Sequence, residues 1–133
     1  MALPSIGGGR QLGDGNISEV ILGTQGAPPA TKAAAATLTA AELAGGIITT
    51  TPTGAIDLTL PTAALTEALL VNAKVDSSFD FYVINLTAAT HAATLVIGTG
   101  WTIVGAAAVS AATSAHFRAR KTGDNAYTCY RIS

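Results

Sequence analysis

The sequence predicts an all-β fold, a jelly roll or β-sandwich of about eight short strands with one short helix and an extended N-terminal arm. Three observations lead there. Short runs rich in β-branched residues recur at intervals, each closed by proline or glycine. Only one stretch keeps a convincing helical period. Small residues dominate, with Ala, Thr and Gly filling 60 of the 133 positions. Asp, Glu, Lys and Arg together make up 11% of the chain, against about 25% in an ordinary soluble domain.

Read in order, residues 1–16 form a flexible N-terminal arm and residues 17–133 a single β domain. The arm contains "SIGGGRQLGDGN", with five glycines and Arg10. A phosphate-binding loop follows a strand and opens a helix. Here only Met1–Pro4 stand before it, no Lys-Ser or Lys-Thr pair follows, and the next apolar run, Ile17 to Leu22, is strand-like. The glycines are therefore read as conferring mobility until something orders the segment.

"ISEVILG" gives a first strand, and "TQGAPPATKAAAATLT" a linker, because Gly26, Pro28 and Pro29 forbid regular pairing. Thr39 and Glu42 make a capping box, so "AAEL" is one helical turn that stops at Gly45-Gly46. "GIITTTP" and "AIDLTLP" are strands ending at Pro52 and Pro61. "TAALTEALLVNA" is the helix, capped by Thr62, with Leu65, Leu69 and Leu70 on one face to plug an end of the β body. "VDSSFDFYVINLT" alternates Phe79, Phe81 and Val83 against Asp80, Tyr82 and Ile84, and its two largely apolar faces predict a central or interface-lining strand. "ATLVIGTG", "WTIVG", "SAHFRARK" and "AYTCYRI" complete the set, the last two joined by a turn at Thr122-Gly123-Asp124-Asn125.

Signals for chemistry are sparse. His91 and His116 have no neighbouring carboxylate in sequence, Ser77, Ser78 and Ser110 lack a nucleophile elbow, and the carboxylates Asp57, Asp76 and Asp80 are scattered. The reading is a non-enzyme with no catalytic, cofactor or metal residues. A single cysteine, Cys129, excludes an internal disulfide and a cysteine-based zinc site, and its strand context makes it a small apolar residue. The Asn-Leu-Thr at Asn85 matches a glycosylation acceptor, but no secretory signal accompanies it. A net charge of −1 argues against nucleic-acid coating, and no apolar run is long enough to span a membrane as a helix.

Two features point to protein partners. Small side chains bury little area, so a core built from them is thin and is expected to finish its burial against copies of the chain or another protein. Arg118, Arg120 and Lys121, with Arg131 on the next strand, hold four of the seven basic residues. Alternation sends Arg118 and Arg120 to the face opposite Phe117 and Ala119, either as a solvated outer face or as a stripe that grips carboxylates on a partner.

The runs "TLTAAELAGGIITTTPTGAIDLTLPTAALTEALL", "DSSFDFYVINLTAATHAATLVIGTGWTIVG" and "SAHFRARKTGDNAYTCYRIS" resemble a module of structural proteins in tailed bacteriophages. "MALPSIGGGRQLGDGN" is similar to the start of small capsid decoration, or cement, proteins. The resemblance implies a β-rich protein without enzymatic activity, made in the host cytoplasm and placed on the capsid exterior as a homodimer or homotrimer. There it would clamp neighbouring subunits of the major capsid protein. On that reading Ile6, Leu12 and Ile17 supply apolar anchors and Arg10 a charged one, with Arg118 and Arg120 as further partner contacts. Two other readings compete: a head-fibre or receptor-binding tip of a phage, and a carbohydrate-binding jelly roll with Trp101, Tyr82, Tyr127 and Tyr130 as its aromatic platform.

Overall fold

A computed structural model describes residues 22–133; Ile6, Arg10, Leu12, Ile17 and most of the first expected strand lie outside them. The described residues form nine strands and two short helices: β1 (Ala36–Thr37), α1 (Ala40–Gly45), β2 (Ile47–Thr50), β3 (Ile56–Thr59), α2 (Ala63–Leu69), β4 (Ser78–Asn85), β5 (Ala93–Val96), β6 (Trp101–Val104), β7 (Ala108–Val109), β8 (Ser114–Gly123) and β9 (Ala126–Arg131).

From β1 to β8 strands alternate between two sheets as the chain proceeds, and β9 stays in the sheet of β8. One sheet has the order β1-β3-β5-β7 and the other β2-β4-β8-β9-β6. From β1 to β5 each strand lies parallel to the strand two places on in the chain: β1 with β3, β2 with β4, β3 with β5. This half is a coil that visits each sheet in turn. The later strands close it with antiparallel pairings of β7 on β5, β8 on β4 and β9 on β8, while β6 runs parallel to β9. The expected β-rich class is therefore present, in two mixed sheets. Parallel neighbours need crossovers rather than hairpins, and alternation between sheets supplies those crossovers.

Both sheets feed one core. Ile56, Leu58, Ala93, Leu95 and Val109 come from the smaller sheet, and Ile48, Phe81, Val83, Phe117, Tyr127 and Cys129 from the larger. Phe81 and Phe117 sit opposite each other across β4 and β8 and stack at 5.3 Å, so aromatic area compensates for many alanines and threonines. Asn85, buried at the end of β4, donates to the carbonyls of His91 (2.9 Å) and Val109 (3.0 Å) and accepts from the Thr87 amide (3.2 Å). A buried amide so fully paired ties the larger sheet to β7 of the smaller one.

The local signals near the first helix are realised. Thr39 Oγ1 accepts from the Glu42 amide and Glu42 accepts from the Thr39 amide, both at 3.1 Å, and Gly46 ends the helix at φ 90°. Lys32 donates to Glu42 at 2.8 Å and pairs with Thr50 as an isolated bridge. The segment expected to be a linker thus joins the fold, because its end carries Leu38, which is buried in the core and whose amide donates to the Thr59 carbonyl at 2.8 Å.

Four expectations need correction. There are two helices, since the capped turn completes a helix of six residues. The second helix ends at Leu69 rather than Ala73, and Ala63 and Thr66 are its buried residues. Leu65 and Leu69 project into solvent instead of plugging the body; the small Ala63 lies against Gly100 and the hairpin turn, where a leucine has no room. Finally, β1 and β7 are two-residue Ala-Thr and Ala-Val segments that carry no period, so the described residues hold nine strands where the sequence predicts seven among them, the eighth expected strand from Ile17 lying almost wholly outside them.

Gly100 makes the α2 contact possible. It sits at φ 88°, and a Cβ there would lie 2.5 Å from the Asn125 carbonyl oxygen and 2.7 Å from Ala63 Cβ. Gly54, by contrast, has open space around it. Gly100→Ala is expected to destabilise the fold by roughly 2 kcal/mol or more, from strain and displaced backbone, with Gly54→Ala close to neutral. Urea unfolding of the two variants checks this, and equal midpoints would contradict it.

Candidate functional site

The outward face of the larger sheet gathers the charged side chains that the sequence left scattered. The β4–β8 register sets Asp80 opposite Arg118 and Tyr82 opposite His116. Side chains of successive residues alternate across a strand, so Asp80, Tyr82, His116, Arg118 and Arg120 share one face while Phe81, Phe117 and Ala119 take the other.

Arg118 meets Asp80 with its planar fork: Nε donates to Oδ1 at 2.7 Å and Nη2 to Oδ2 at 3.0 Å. His116 Nε2 lies 3.0 Å from the same Oδ2 without the alignment of a hydrogen bond, and its ring stacks on Tyr82 at 4.5 Å. Arg120 donates through Nη1 to Asp76 Oδ1 at 2.7 Å and through Nε and Nη2 to the Tyr130 hydroxyl at 3.1 and 2.9 Å. The stripe of two arginines is real, but it is matched by Asp80 and Asp76 of its own chain.

Electrostatics follow from these pairs. The guanidinium of Arg118, aided by His116, pulls the Asp80 carboxyl down to about 2 against the cost of partial burial. Arg118 is raised by Asp80, and Arg120 by the Tyr130 hydroxyl and then Asp76. A carboxylate held this low is a poor proton acceptor, and two fixed cations complete a cross-strand clamp rather than an acid–base pair. Among the described residues no group of three or more His, Cys, Asp or Glu side chains is placed to hold a metal, and no helix is long and apolar enough to cross a membrane.

A further ion pair, Lys121 with Glu67, joins β8 to α2; Glu67 also accepts from the Asn125 amide at 3.0 Å. No local signal announces it, since Glu67 and Lys121 are far apart in the chain and meet only once β8 is folded beside α2. The pairing of Asp80 with Arg118 was partly legible: alternation puts both outward, but only the strand register makes them neighbours.

The aromatic platform does not assemble as a unit. Trp101 and Tyr127 are buried and stack on each other at 5.2 Å, while Tyr82 and Tyr130 lie on the outer face of the larger sheet beside His116 and Arg120. His91 sits in the loop after β4 and contributes its carbonyl to Asn85. Cys129 is fully buried, and burial pushes its thiol up to about 12.

Two outcomes are expected. Because the folded pKa of Asp80 lies below the ordinary 3.8, its pairing adds stability above about pH 4 that is lost as the pH falls towards 2. Asp80→Asn should flatten that acid limb in urea unfolding from pH 5 to 2; an unchanged slope would rule out the pair as its source. Cys129 should resist a thiol-reactive dye in the folded protein and react on unfolding in urea; rapid labelling without denaturant would show an accessible thiol. Comparison with protein-family models, curated proteins and solved structures finds no match to this chain.

Proposed function

We propose that this chain is a non-enzymatic structural protein, a decoration subunit that binds the outside of a phage head, clamps neighbouring major capsid protein subunits and associates with copies of itself as a dimer or trimer. The observation that carries the reading is the apolar surface the fold leaves in solvent along α2 and on towards β4: Leu65 is 60% exposed, Leu69 47%, Val71 77% and Val75 59%. Exposed apolar surface concentrated in one stretch marks a binding face. Leu65 and Ile97 further flank a groove of about 650 Å³ between the start of α1 and the ends of β3 and β5, a shape that receives an apolar side chain of a shell subunit.

The shared core of the two sheets supports a β-sandwich over a jelly roll, whose strands would pair antiparallel throughout. The arm, with Ile6, Arg10, Leu12 and Ile17, is assigned to a neighbouring subunit, where glycines let backbone approach backbone. Arg118 and Arg120 would grip that shell only if its carboxylates replaced Asp80 and Asp76, so they are secondary contacts on this reading.

Stabilisation would come from linkage: a protein that binds the assembled shell but not free subunits shifts the equilibrium towards the shell, and many copies multiply a modest affinity. Quantifying the chain against the major capsid protein in purified particles tests this. Hundreds of copies per particle are expected; a handful would indicate a fibre or vertex component, and none would remove the shell reading. Leu69→Glu with Val71→Glu should weaken binding to particles at least tenfold while the isolated protein keeps its unfolding midpoint.

A further inference from the structure

Each sheet has two edges, and among the described residues three of the four are blunted. β1 and β7 close the smaller sheet with two residues each. The chain at Lys32 lies along β2, its amide donating to the Thr49 carbonyl at 3.0 Å and its carbonyl accepting from the Thr51 amide at 2.9 Å. Natural sheets shorten, cover or charge their edges in this way, because unpaired backbone there recruits other chains. β6 is the exception. Its Trp-Thr-Ile-Val run holds no proline and no charged residue, its only sheet neighbour among the described residues is β9, and Val104 is 52% exposed.

The ladder decides which groups that edge offers. The Tyr127 amide donates to the Gly100 carbonyl at 3.0 Å, and Trp101 lies opposite Tyr127. Thr102 and Val104 therefore turn their backbone groups to β9, while Ile103 turns its amide and carbonyl away. The Trp101 carbonyl and the Gly105 amide point outward with them. We propose that β6 pairs antiparallel with β6 of a second copy of this chain, about a two-fold axis through Ile103. Donors and acceptors are self-complementary there: Ile103 exchanges both of its hydrogen bonds with Ile103 of the second copy, and each Gly105 amide meets a Trp101 carbonyl across the axis. Faces match as well, since residues directly opposite in such a pair share a face. Thr102 meets Val104 on the outer side, and Ile103, packed against the core, meets itself on the inner. An axis between Thr102 and Ile103 would set buried Trp101 against exposed Val104. An axis through Thr102 would pair Ile103 with Trp101, whose amide already donates to the Gly98 carbonyl at 3.1 Å. With no charged side chain on β6, like charges do not oppose the approach. The occupant is a second copy because a two-fold contact uses the same edge twice.

This pairing rests on the self-association part of the functional reading and gives it one surface and one symmetry. A contact one short strand wide lies at the small end of interface sizes, so a dissociation constant on the order of 100 µM is expected. Sedimentation of the full chain from about 5 µM to about 1 mM spans that value and should show monomer passing to dimer. Over the same range, amide exchange followed by NMR should slow about fourfold at Ile103 and Gly105 as the monomer is depleted. Thr102 and Val104, already bonded to β9, should not change. Ile103→Pro removes the donor at the axis, at an edge position where proline is tolerated, and should abolish the dimer. Ile103→Ala truncates the side chain, keeps the donor and should still dimerise. Unchanged exchange at Ile103, a trimer, a dimer that persists in Ile103→Pro, or loss of the dimer in Ile103→Ala would each overturn the β6 pairing while leaving self-association to another surface. A chain monomeric at every concentration would overturn both. Should Ile103→Pro not fold, the exchange measurement on the unaltered chain decides alone.

Discussion

Pairing of β4 with β8 holds the molecule together. Its antiparallel register runs from Ser78 opposite Arg120 to Ile84 opposite Ser114, and its two faces do different work. Inward, Phe81 stacks on Phe117 and gives a core poor in large residues one of its two buried aromatic stacks. Outward, the same register sets Asp80 against Arg118 and stacks Tyr82 on His116. A slip of one residue would turn every one of these side chains to the wrong face, so the inner stack and the outer clamp enforce the same alignment.

Other elements are placed relative to this ladder. β2 lies parallel along the far side of β4, β9 along the far side of β8, and β6 beyond β9. Asn85 at the end of β4 reaches across to β7, and Lys121 near the end of β8 draws in α2 through Glu67. Little of this stability comes from charge in water, where exposed pairs contribute weakly; the ion pairs chiefly select geometry, while burial of Phe81, Phe117, Tyr127 and Trp101 supplies the larger share.

What the sequence disclosed depended on whether its signal was local. The capping box of Thr39 and Glu42 and the alternation from Phe79 to Ile84 involve neighbouring residues and appear as read; the turn before Ala126 appears too, shortened to Asp124-Asn125 because β8 runs on to Gly123. β1 and β7 are too short to display a period and exist because a longer strand pairs with them. The leucine spacing of α2 is a helical pattern, but a pattern does not say which face is covered; the space left by Gly100 and Asn125 admits Ala63, so the leucines turn outward. The candidate site was legible only in part for the same reason. Arg118 and Arg120 were visible as an outward stripe, whereas Asp80, Asp76, Tyr130 and Glu67 reach their partners through register and turns.

The winding of the chain between two sheets also governs how the fold is reached. Ile47 pairs with Tyr82 and Trp101 with Tyr127, so most ladders join segments far apart, and only β8 and β9 are linked by a tight turn. Long-range pairings bear their loop-closure entropy before any contact rewards it. β4 has no partner on its β8 side until residues 114–123 have been synthesised, and the coil of β1 to β5 must wait with open edges. Assembly of the larger sheet is consequently an event of the completed chain, and the interval before it is when the exposed strand edges are open to pairing with other chains.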